Sequence, residues 1–461
     1  MRPTSVRVDL TEGPLIKKVL LFALPICLSN VLQQLYNTVD TLIIGNYSAG
    51  GTVSQAAVAT SGQPVEILLS LLVGIGNGVS ILTAQSAGRK DPERIRTVAK
   101  TACSLVYYCS LPLMLIGFLL SGPVLQWMNV PQDTFSPARL YLCLSLLGVL
   151  ATLGYNTNAG LLMGMGDSGA SLRFLTVSCV VNIVLDYLLV AVIPLEVTGA
   201  AVATVAAQYI SWLMSVMYIR SHYPDLFSSL RPGKCEKSVL RDIVRIGVPV
   251  GINNSLYSMG HLVVQAMINS QGAVFMSACS VSGKVTGLVG TLVRSLSVSA
   301  TTFSGQNRGA GKISRLKSGV WRLTLYAAVF SITLSLTVCL LSEPLMRLFT
   351  RDEAVIPLAV RCIWLFSPFA WMYAALNTLE YFINGLGEVR WPTVVSLIML
   401  WGVRIPSAWV IARYFDGSYI NLCYAFSFFT GLAGMLLFFT TKKWKRCIRG
   451  AGAEEHGGAD G

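Results

Sequence analysis

The sequence predicts an all-α polytopic membrane protein of about twelve transmembrane helices in two pseudo-symmetric six-helix bundles. Three observations support this prediction: the composition, the spacing of long apolar runs, and an internal repeat. Of the 461 residues, 53% are hydrophobic and only 12% are charged, whereas about 25% of a soluble domain is charged. Such a chain would expose too much apolar surface to stay dissolved in water. The predicted environment is therefore a lipid bilayer, the cytoplasmic (inner) membrane of a bacterium or archaeon.

Apolar runs give the predicted spans, because a transmembrane helix needs about 20 mostly apolar residues. Six such runs lie in the first half of the chain, near 15–45, 52–82, 98–122, 138–162, 170–193 and 197–219. Six more lie in the second half, near 243–269, 273–303, 318–341, 357–382, 391–412 and 418–440. The predicted organisation is an N-terminal segment (1–14), an N-terminal bundle (15–220), a linker (221–242), a C-terminal bundle (243–441) and a basic, flexible tail (442–461).

The basic residues predict the orientation of these spans. Most of the 35 Lys and Arg residues lie in alternate connections between the runs and in both terminal segments. Because cytoplasmic loops carry the excess of Lys and Arg, we expect both termini and the linker to be cytoplasmic. This scattered pattern also argues against nucleic acid as a partner. The predicted partners are a small molecule and the lipid bilayer, and the predicted state is a monomer.

Three short motifs recur in the second half at one constant offset. Ala84–Gly88 corresponds to Gly305–Gly309, Asn156-Thr157 to Asn377-Thr378, and Met163–Asp167 to Asn384–Glu388. Each repeat would hold six helices, so both halves would have the same orientation in the membrane. Parallel repeats of this kind are a transporter architecture, in which substrate binds between the halves.

Two acidic residues lie inside apolar runs and are the main candidate site residues. Asp40 lies in the first predicted span and Asp186 in the fifth, and Asn182 precedes Asp186 by one helical turn. A charge at mid-bilayer costs about 2.5–3.5 kcal/mol on insertion scales and usually marks an ion path. Such a carboxyl group can exchange a proton, or its ionised form can hold Na⁺. The alternative is a hydrogen bond that only joins two helices.

Other polar residues within the spans are weaker candidates. Glu66, Lys284, Tyr373, Asn377 and Arg404 are predicted to line a cavity, whereas Glu380, near a cytoplasmic turn, is interpreted as structural. No cofactor or metal motif is apparent: the eleven cysteines form no C-x-x-C pair, and no phosphate-binding loop occurs. Gly164–Gly169 matches a dinucleotide fingerprint, but a predicted transmembrane helix precedes it instead of a strand, so we interpret it as a tight turn. An enzyme is not predicted.

Together these motifs resemble the multidrug and toxic compound extrusion (MATE) family over residues 12–445. The resemblance rests on Leu24-Pro25, Val39-Asp40-Thr41, Ala84-Gln85, Asn182–Asp186, Gly199–Thr204 and Gly305–Gly311. It implies two bundles around a central cavity, and a coupling-ion site at Asp40, Asn182, Asp186 and Thr204. Some members have a second sodium site in the C-terminal bundle. This chain has no acid in its seventh span, and Tyr373 stands where the tenth-span acid would be, so the N-terminal cluster is the predicted site.

The function that the resemblance implies is secondary antiport, with export of organic cations, drugs or toxic metabolites in exchange for inward H⁺ or Na⁺. The alternative is a lipid-linked oligosaccharide flippase of the same superfamily. Such flippases often have extra helices and a basic cavity suited to pyrophosphate. The twelve predicted spans and the two buried acids argue against this alternative, whereas the mid-depth positions of Lys284 and Arg404 keep it open.

Overall fold

The computed structural model describes residues 7–48, 51–230 and 232–453, and within these ranges the regular structure is helical. The remaining residues, including parts of the predicted N-terminal segment (1–14) and tail (442–461), lie outside the described residues. Within the described ranges, eleven helical stretches are long and apolar enough to cross a membrane. The chain is therefore an all-α polytopic membrane protein, as predicted.

The helices of the first half, and the first long helix of the second half, follow one another with short connections. They are α1 (Leu15–Tyr47), α2 (Gly51–Gly88), α3 (Pro92–Trp127), α4 (Gln132–Gly164), α5 (Ser168–Asp186), α6 (Glu196–His222), the short α7 (Pro224–Phe227) and α8 (Lys237–Asn269). A π-helical turn, Tyr187–Val192, extends α5.

The second half is more interrupted. Its helices are α9 (Ala273–Gly309), α10 (Ile313–Leu340), α11 (Ser342–Phe349), α12 (Val355–Phe366), α13 (Ala370–Gly385), α14 (Arg390–Leu397), α15 (Ile405–Tyr414), α16 (Leu422–Phe438) and α17 (Lys442–Ala453). A 3₁₀ turn at Ser367–Phe369 joins α12 to α13, and a π-helical stretch at Ile398–Arg404 joins α14 to α15.

Helix α8 contains the predicted span that is missing from these eleven. It has 33 residues, and at 1.5 Å per residue it is long enough to cross a bilayer. Its apolar run is interrupted by polar residues, among them Asn253, Asn254 and His261. Eleven apolar spans and α8 together account for the predicted number of about twelve.

The chain divides into two compact units whose boundaries differ from the predicted bundles. Unit 1 comprises the residues up to Val8 and Leu28–Ile252; unit 2 comprises Asp9–Cys27 and the residues from Asn253 on. The beginning of α1 therefore groups with unit 2, where Cys27 Sγ lies 3.7 Å from the carbonyl oxygen of Leu292. The linker and the beginning of α8 group with unit 1, where Gly233 N donates to Ser104 Oγ at 3.0 Å.

The first part of the predicted tail forms α17, whereas the flexibility of the tail as a whole stays a prediction. The indole of Trp444 contacts the rings of Phe382, Phe438 and Phe439 at 4.9–6.4 Å between centroids. Burial of these aromatic faces holds α17 against α13 and α16.

Small residues bring the helices of unit 1 close together, among them Gly76 and Gly78 of α2. A Cβ atom at Gly76 would lie 2.9 Å from the carbonyl oxygen of Asn156 in α4. One at Gly78 would lie 2.9 Å from the carbonyl oxygen of Ile243 in α8. Only glycine permits these approaches.

The turn at Gly164–Gly169 is a helical hairpin and not a nucleotide-binding loop. Gly166 has a φ of 92°, and Asp167 caps α5 by accepting a hydrogen bond from Ala170 N. The corresponding Gly387 of the second repeat has a φ of 78°. The left-handed backbone conformation that glycine tolerates thus recurs where the repeated motif recurs.

Candidate functional site

The two intramembrane aspartates predicted from sequence meet inside unit 1. Asp40 lies on α1, seven residues before its end at Tyr47, and Asp186 is the last α-helical residue of α5. Their carboxyl groups are within hydrogen-bonding reach of each other. Asp186 is completely buried and Asp40 is half-buried. The structure therefore joins residues that lie far apart in the sequence, in a water-poor setting.

Three of the four carboxyl oxygens of this pair find no hydrogen-bond donor among the described residues. Oδ1 of Asp40 and both oxygens of Asp186 are buried and accept no hydrogen bond within the described structure. Two ionised carboxylates are both acceptors only, so neither can donate to the other. A shared proton or a small metal cation would satisfy both, and without one the like charges repel.

Asn182 completes the polar surroundings of Asp186. It lies one turn earlier on α5, is 2% exposed, and its amide reaches towards the carboxyl group of Asp186. Neither amide atom forms a well-aligned hydrogen bond with a described residue. Thr204 of α6 is half-buried, and in the described structure no hydrogen bond joins its hydroxyl to either carboxyl group. The assignment of Thr204 to the site stays a prediction.

Two tyrosines near the pair were not predicted. Tyr36 lies one turn before Asp40, and Tyr141 lies on α4. The phenols of both tyrosines interact electrostatically with the two carboxyl groups. Tyr141 belongs to an apolar cluster with Ile43 and Ile44. Tyr36 was within reach of sequence analysis, since it lies one turn from Asp40, but nothing in the sequence relates Tyr141 to α1.

A change of helix type marks the position of Asp186. The α-helix ends at this residue, and the π-helical turn Tyr187–Val192 follows. Short π-helical turns inside α-helices occur frequently at functional sites. The wider turn changes the direction of the side chains that follow. The apolar residues of this span therefore do not keep one helical periodicity on both sides of the turn.

A second polar cluster lies within unit 2. Glu380 of α13 accepts a hydrogen bond from Asn253 Nδ2 of α8 at 3.0 Å and interacts electrostatically with Arg294 of α9. Arg294 also reaches the phenol of Tyr373. These contacts are in keeping with the interpretation of Glu380 as structural, because they join the residue to two other helices. Its partners are far apart in sequence and carry no shared motif.

Arg404 is the most deeply buried of the predicted cavity-lining residues. It ends the π-helical stretch Ile398–Arg404 and is 5% exposed. Its guanidinium carbon lies 4.9 Å from the ring centroid of Tyr424, 5.6 Å from that of Phe428 and 5.7 Å from that of Tyr257. Its Nε donates to Ser427 Oγ at 3.0 Å.

The other predicted cavity-lining residues are dispersed. Tyr373 packs against Phe428 at 5.2 Å between ring centroids, and Asn377 Nδ2 donates to the carbonyl oxygen of Tyr373 at 2.8 Å. Glu66 and Lys284 are exposed, and Lys284 Nζ lies 5.9 Å from the ring centroid of Phe349. Neither belongs to the two clusters described above, and their lining role stays a prediction.

Comparisons with known proteins agree with this architecture. The family model described as MatE matches residues 25–188 and 249–410, one segment in each half. The chain is 26% identical over 440 residues to the "Probable multidrug resistance protein YpnP" of Bacillus subtilis, covering 95% of this chain and 97% of the relative. It is also 26% identical over 446 residues to the "Probable multidrug resistance protein NorM" of Thermotoga maritima, covering 94% of each.

The fold is also that of solved transporters. The chain superimposes with a TM-score of 0.86 on a structure described as the outward-facing conformation of a multidrug resistance MATE family transporter, covering 98% of this chain and 100% of that one. The two are 18% identical, so this likeness shows the fold alone. The matching family model spans most of the chain in both of its halves. The chain therefore belongs to the MatE family of multidrug and toxic compound extrusion proteins, and it is a transporter and not an enzyme.

Proposed function

We propose that the protein is a secondary antiporter that exports organic cations, drugs or toxic metabolites in exchange for inward H⁺ or Na⁺. The observation that carries the proposal is the contact between Asp40 and Asp186, three of whose four carboxyl oxygens are buried and find no donor among the described residues. An exchangeable cation supplies what this pair lacks. The names of relatives as multidrug resistance proteins support export of drugs.

Binding of the ion changes the force between α1 and α5. With the pair doubly ionised, the two carboxylates repel each other across the helix contact. With a shared proton, one carboxyl group donates to the other; with Na⁺, both coordinate the same cation, beside the amide of Asn182. Each occupied state therefore favours a closer approach of α1 to α5 than the empty state does.

This difference is what an antiporter needs. An ion can drive export only if it and the substrate favour different conformations of the protein. Inward movement of one charge releases about 2.3 kcal/mol per 100 mV of membrane potential, in addition to any concentration gradient. We propose that ion binding at the pair selects a conformation with low substrate affinity, so that substrate leaves on the outer side.

The proposed setting is the cytoplasmic membrane of a bacterium or archaeon, with the protein acting as a monomer and both termini in the cytoplasm. The alternation of basic loops supports the orientation. The matched relatives come from bacteria such as Bacillus subtilis and Thermotoga maritima.

The test is efflux of ethidium from proteoliposomes under separately imposed H⁺ and Na⁺ gradients. We expect one of the two gradients to drive efflux, and Asp40→Asn and Asp186→Asn to reduce it at least about tenfold, since neither amide can exchange a proton or neutralise a cation. Asp133→Asn is the matched control, because Asp133 is an exposed acid at the beginning of α4. Efflux at the native rate in both site variants would refute the proposed coupling.

The flippase alternative finds less support. It relies on Lys284 and Arg404 as parts of a basic cavity, but Lys284 is exposed beside Phe349, and Arg404 is enclosed by uncharged side chains. Expression in a flippase-deficient strain tests it directly. Restored growth there, without any change in drug sensitivity, would favour the flippase over the antiporter.

A further inference from the structure

Two cysteines of unit 2 are in contact, although 83 residues separate them in the sequence. Cys279 lies in the second turn of α9 and Cys362 in the third turn of α12. Their Sγ atoms are 3.8 Å apart, close enough for the S–H group of one to donate to the sulfur of the other. Both are free thiols. Neither ion coupling at Asp40 and Asp186 nor the polar cluster around Glu380 uses this pair.

Close packing of α9 on α12 keeps the two thiols together. Ala278 precedes Cys279, Ile363 follows Cys362, and both are completely buried in one apolar cluster that also contains Ala359 of α12. Well-packed cores leave their side chains little room to move. The packing of the two helices therefore holds the sulfur atoms in contact.

The cysteine pair lies near one end of its helices, close to charged groups. Arg361, the residue before Cys362, forms an ion pair with the exposed carboxylate of Asp416 at 3.8 Å. Helix α9 begins at Ala273, six residues before Cys279 and therefore about 9 Å away along the helix. In the proposed orientation both helices begin on the outer side of the membrane. Disulfide bonds form and persist on that side, whereas the cytosol keeps thiols reduced.

We propose that Cys279 and Cys362 are a redox-active pair, which a small-molecule disulfide on the outer side converts into an internal disulfide bond between α9 and α12. The inference goes beyond the proposed export function and rests on the proposed orientation alone. It assigns a covalent modification site to the outer end of unit 2.

Unequal exposure gives the two thiols different roles. Cys279 is half-buried, whereas Cys362 is only 2% exposed, so an oxidant in solution meets Cys279 first. The amide Nδ2 of Asn421 lies 4.0 Å from Cys279 Sγ. An N–H donor at this position stabilises negative charge on the sulfur, and the thiolate is the form that attacks a disulfide. Cys279 is therefore the attacking thiol and Cys362 the resolving one.

The reaction is a balanced thiol–disulfide exchange. The Cys279 thiol gives its proton to water, and its thiolate attacks one sulfur of oxidised glutathione, which forms a mixed disulfide and expels one glutathione thiolate. The Cys362 thiol then loses its proton and attacks the Cys279 sulfur, which expels the second glutathione. The two protein thiols lose two electrons and two protons, and the disulfide of oxidised glutathione becomes two thiols.

A metal site fits the pair less well than a disulfide does. Two thiolates can hold a soft metal ion, but protein metal sites usually have three or four ligands from the chain. Across the residues that the structure describes, no group of three or more His, Cys, Asp and Glu side chains is arranged to hold a metal ion. Two thiols in contact are sufficient for a disulfide.

Peptide mapping by mass spectrometry tests the bond directly. The purified protein in detergent is treated with oxidised glutathione, its remaining thiols are blocked with N-ethylmaleimide, and it is digested without reductant. We expect a linked peptide pair that contains Cys279 and Cys362 and that disappears after treatment with dithiothreitol. In Cys362→Ser we expect glutathione to stay attached to Cys279, because the thiol that would expel it is missing. In Cys279→Ser we expect Cys362 to remain unmodified.

Cys423→Ser is the matched control. Cys423 of α16 is completely buried in an apolar cluster that also contains Cys362, so this variant changes a neighbouring thiol and leaves the pair intact. We expect it to form the bond between Cys279 and Cys362 as fast as the wild-type protein does. The absence of the linked peptide in the wild-type protein, or a bond from either cysteine to Cys423 in its place, would overturn the proposal.

Spheroplasts test the side of the membrane, because oxidised glutathione does not cross a bilayer. We expect spheroplasts exposed to it to give the same linked peptide as the protein in detergent. A bond that forms in detergent but not in spheroplasts refutes the outer placement. Ethidium efflux from proteoliposomes reports on the export function separately, so retained efflux without a linked peptide refutes only the redox site.

Thermal melting tests whether the bond ties α9 to α12. A disulfide stabilises a protein mainly by restricting its unfolded chain. We therefore expect the oxidised wild-type protein to melt at a higher temperature than its reduced form, and Cys362→Ser to show no such rise. Equal melting temperatures for the linked and the reduced wild-type protein would refute the tie between the two helices.

Discussion

Asp167 stabilises the connection between α4 and α5 with both of its carboxyl oxygens. Oδ1 caps α5, and Oδ2 accepts hydrogen bonds from the phenols of Tyr218 at 2.8 Å and Tyr223 at 2.9 Å. Burial raises the pKa of Tyr223, so its phenol keeps its proton and remains a donor. The Arg7 guanidinium carbon lies 4.4 Å from the centroid of the Tyr223 ring, which ties the N-terminal segment to the same network.

Replacement of Asp167 is expected to destabilise the protein strongly. Asp167→Ala removes a helix cap, worth about 1 kcal/mol, and leaves two buried phenols without their charged acceptor, at about 1.5–3 kcal/mol each at most. We expect a clear fall in the melting temperature of the protein in detergent. The melting is monitored by size-exclusion chromatography. Asp225→Ala is the control, because Asp225 is exposed and its ion pair with Arg96, at 3.7 Å, lies on the surface. Equal melting temperatures for the two variants would contradict the importance of the network.

Single residues show which parts of the site the sequence could predict. Asp40 and Asp186 were predictable because a charge inside an apolar run is conspicuous whatever its neighbours. Arg294 is equally conspicuous, but its interaction with Glu380 depends on the packing of α9 against α13, which no local pattern encodes. The aromatic surroundings of Arg404 likewise depend on which side chains of α8 and α16 face it.

Helices were predictable in position and less so in regularity. Twelve apolar runs gave the right number of long helical stretches, because length and hydropathy decide where a chain crosses a bilayer. The π-helical stretches at Tyr187–Val192 and Ile398–Arg404 were not predicted. Each π-helical stretch contains an extra residue per turn compared with an α-helix, and the amino-acid composition of the segment does not reveal it. Each of them adjoins a buried charged residue of a candidate site.

Helix α2 offers a direct test of the close packing within unit 1. Gly78→Ala would place a Cβ 2.9 Å from the carbonyl oxygen of Ile243, and we expect this overpacking to cost about 1–3 kcal/mol of stability. Gly62→Ala lies on the same helix with nothing within 4 Å of the added Cβ. There we expect a neutral or stabilising change, since alanine favours a helix over glycine by about 1 kcal/mol. The melting temperatures of both variants in detergent distinguish the two expected outcomes. A similar fall in melting temperature for Gly78→Ala and Gly62→Ala would contradict the packing described.

At the scale of the whole molecule, the internal repeat is visible in the backbone as well as in the sequence. Gly166 and Gly387 share the left-handed conformation, and so do Lys90 and Gly311, which stand at the same offset. The repeat therefore preserves turn geometry even where the residue differs. The boundaries of the compact units were not predicted, because apolar runs do not reveal which neighbours a helix contacts.

Orientation in the membrane is a property of the whole chain and can be measured in intact cells. We expect Glu353→Cys, in the exposed connection between α11 and α12, to react with a membrane-impermeant maleimide in a cysteine-free background. Asp225→Cys, after α6, is expected to react only after permeabilisation, because the basic loops place that connection in the cytoplasm. Both positions are exposed in the structure, so access to reagent is limited only by the bilayer. The reverse labelling pattern would invert the proposed topology.

The division of α1 at Cys27 and of α8 at Ile252 has a consequence for how the chain can be cut. A break in the linker yields two fragments, and neither possesses every residue of one compact body: the first lacks the opening turns of α8, and the second lacks the opening turns of α1. Synthesised separately, each fragment would present bare apolar surface to quality-control proteases. Each fragment would then be stable only when both are expressed together. A gene divided at the linker would therefore encode two mutually dependent products.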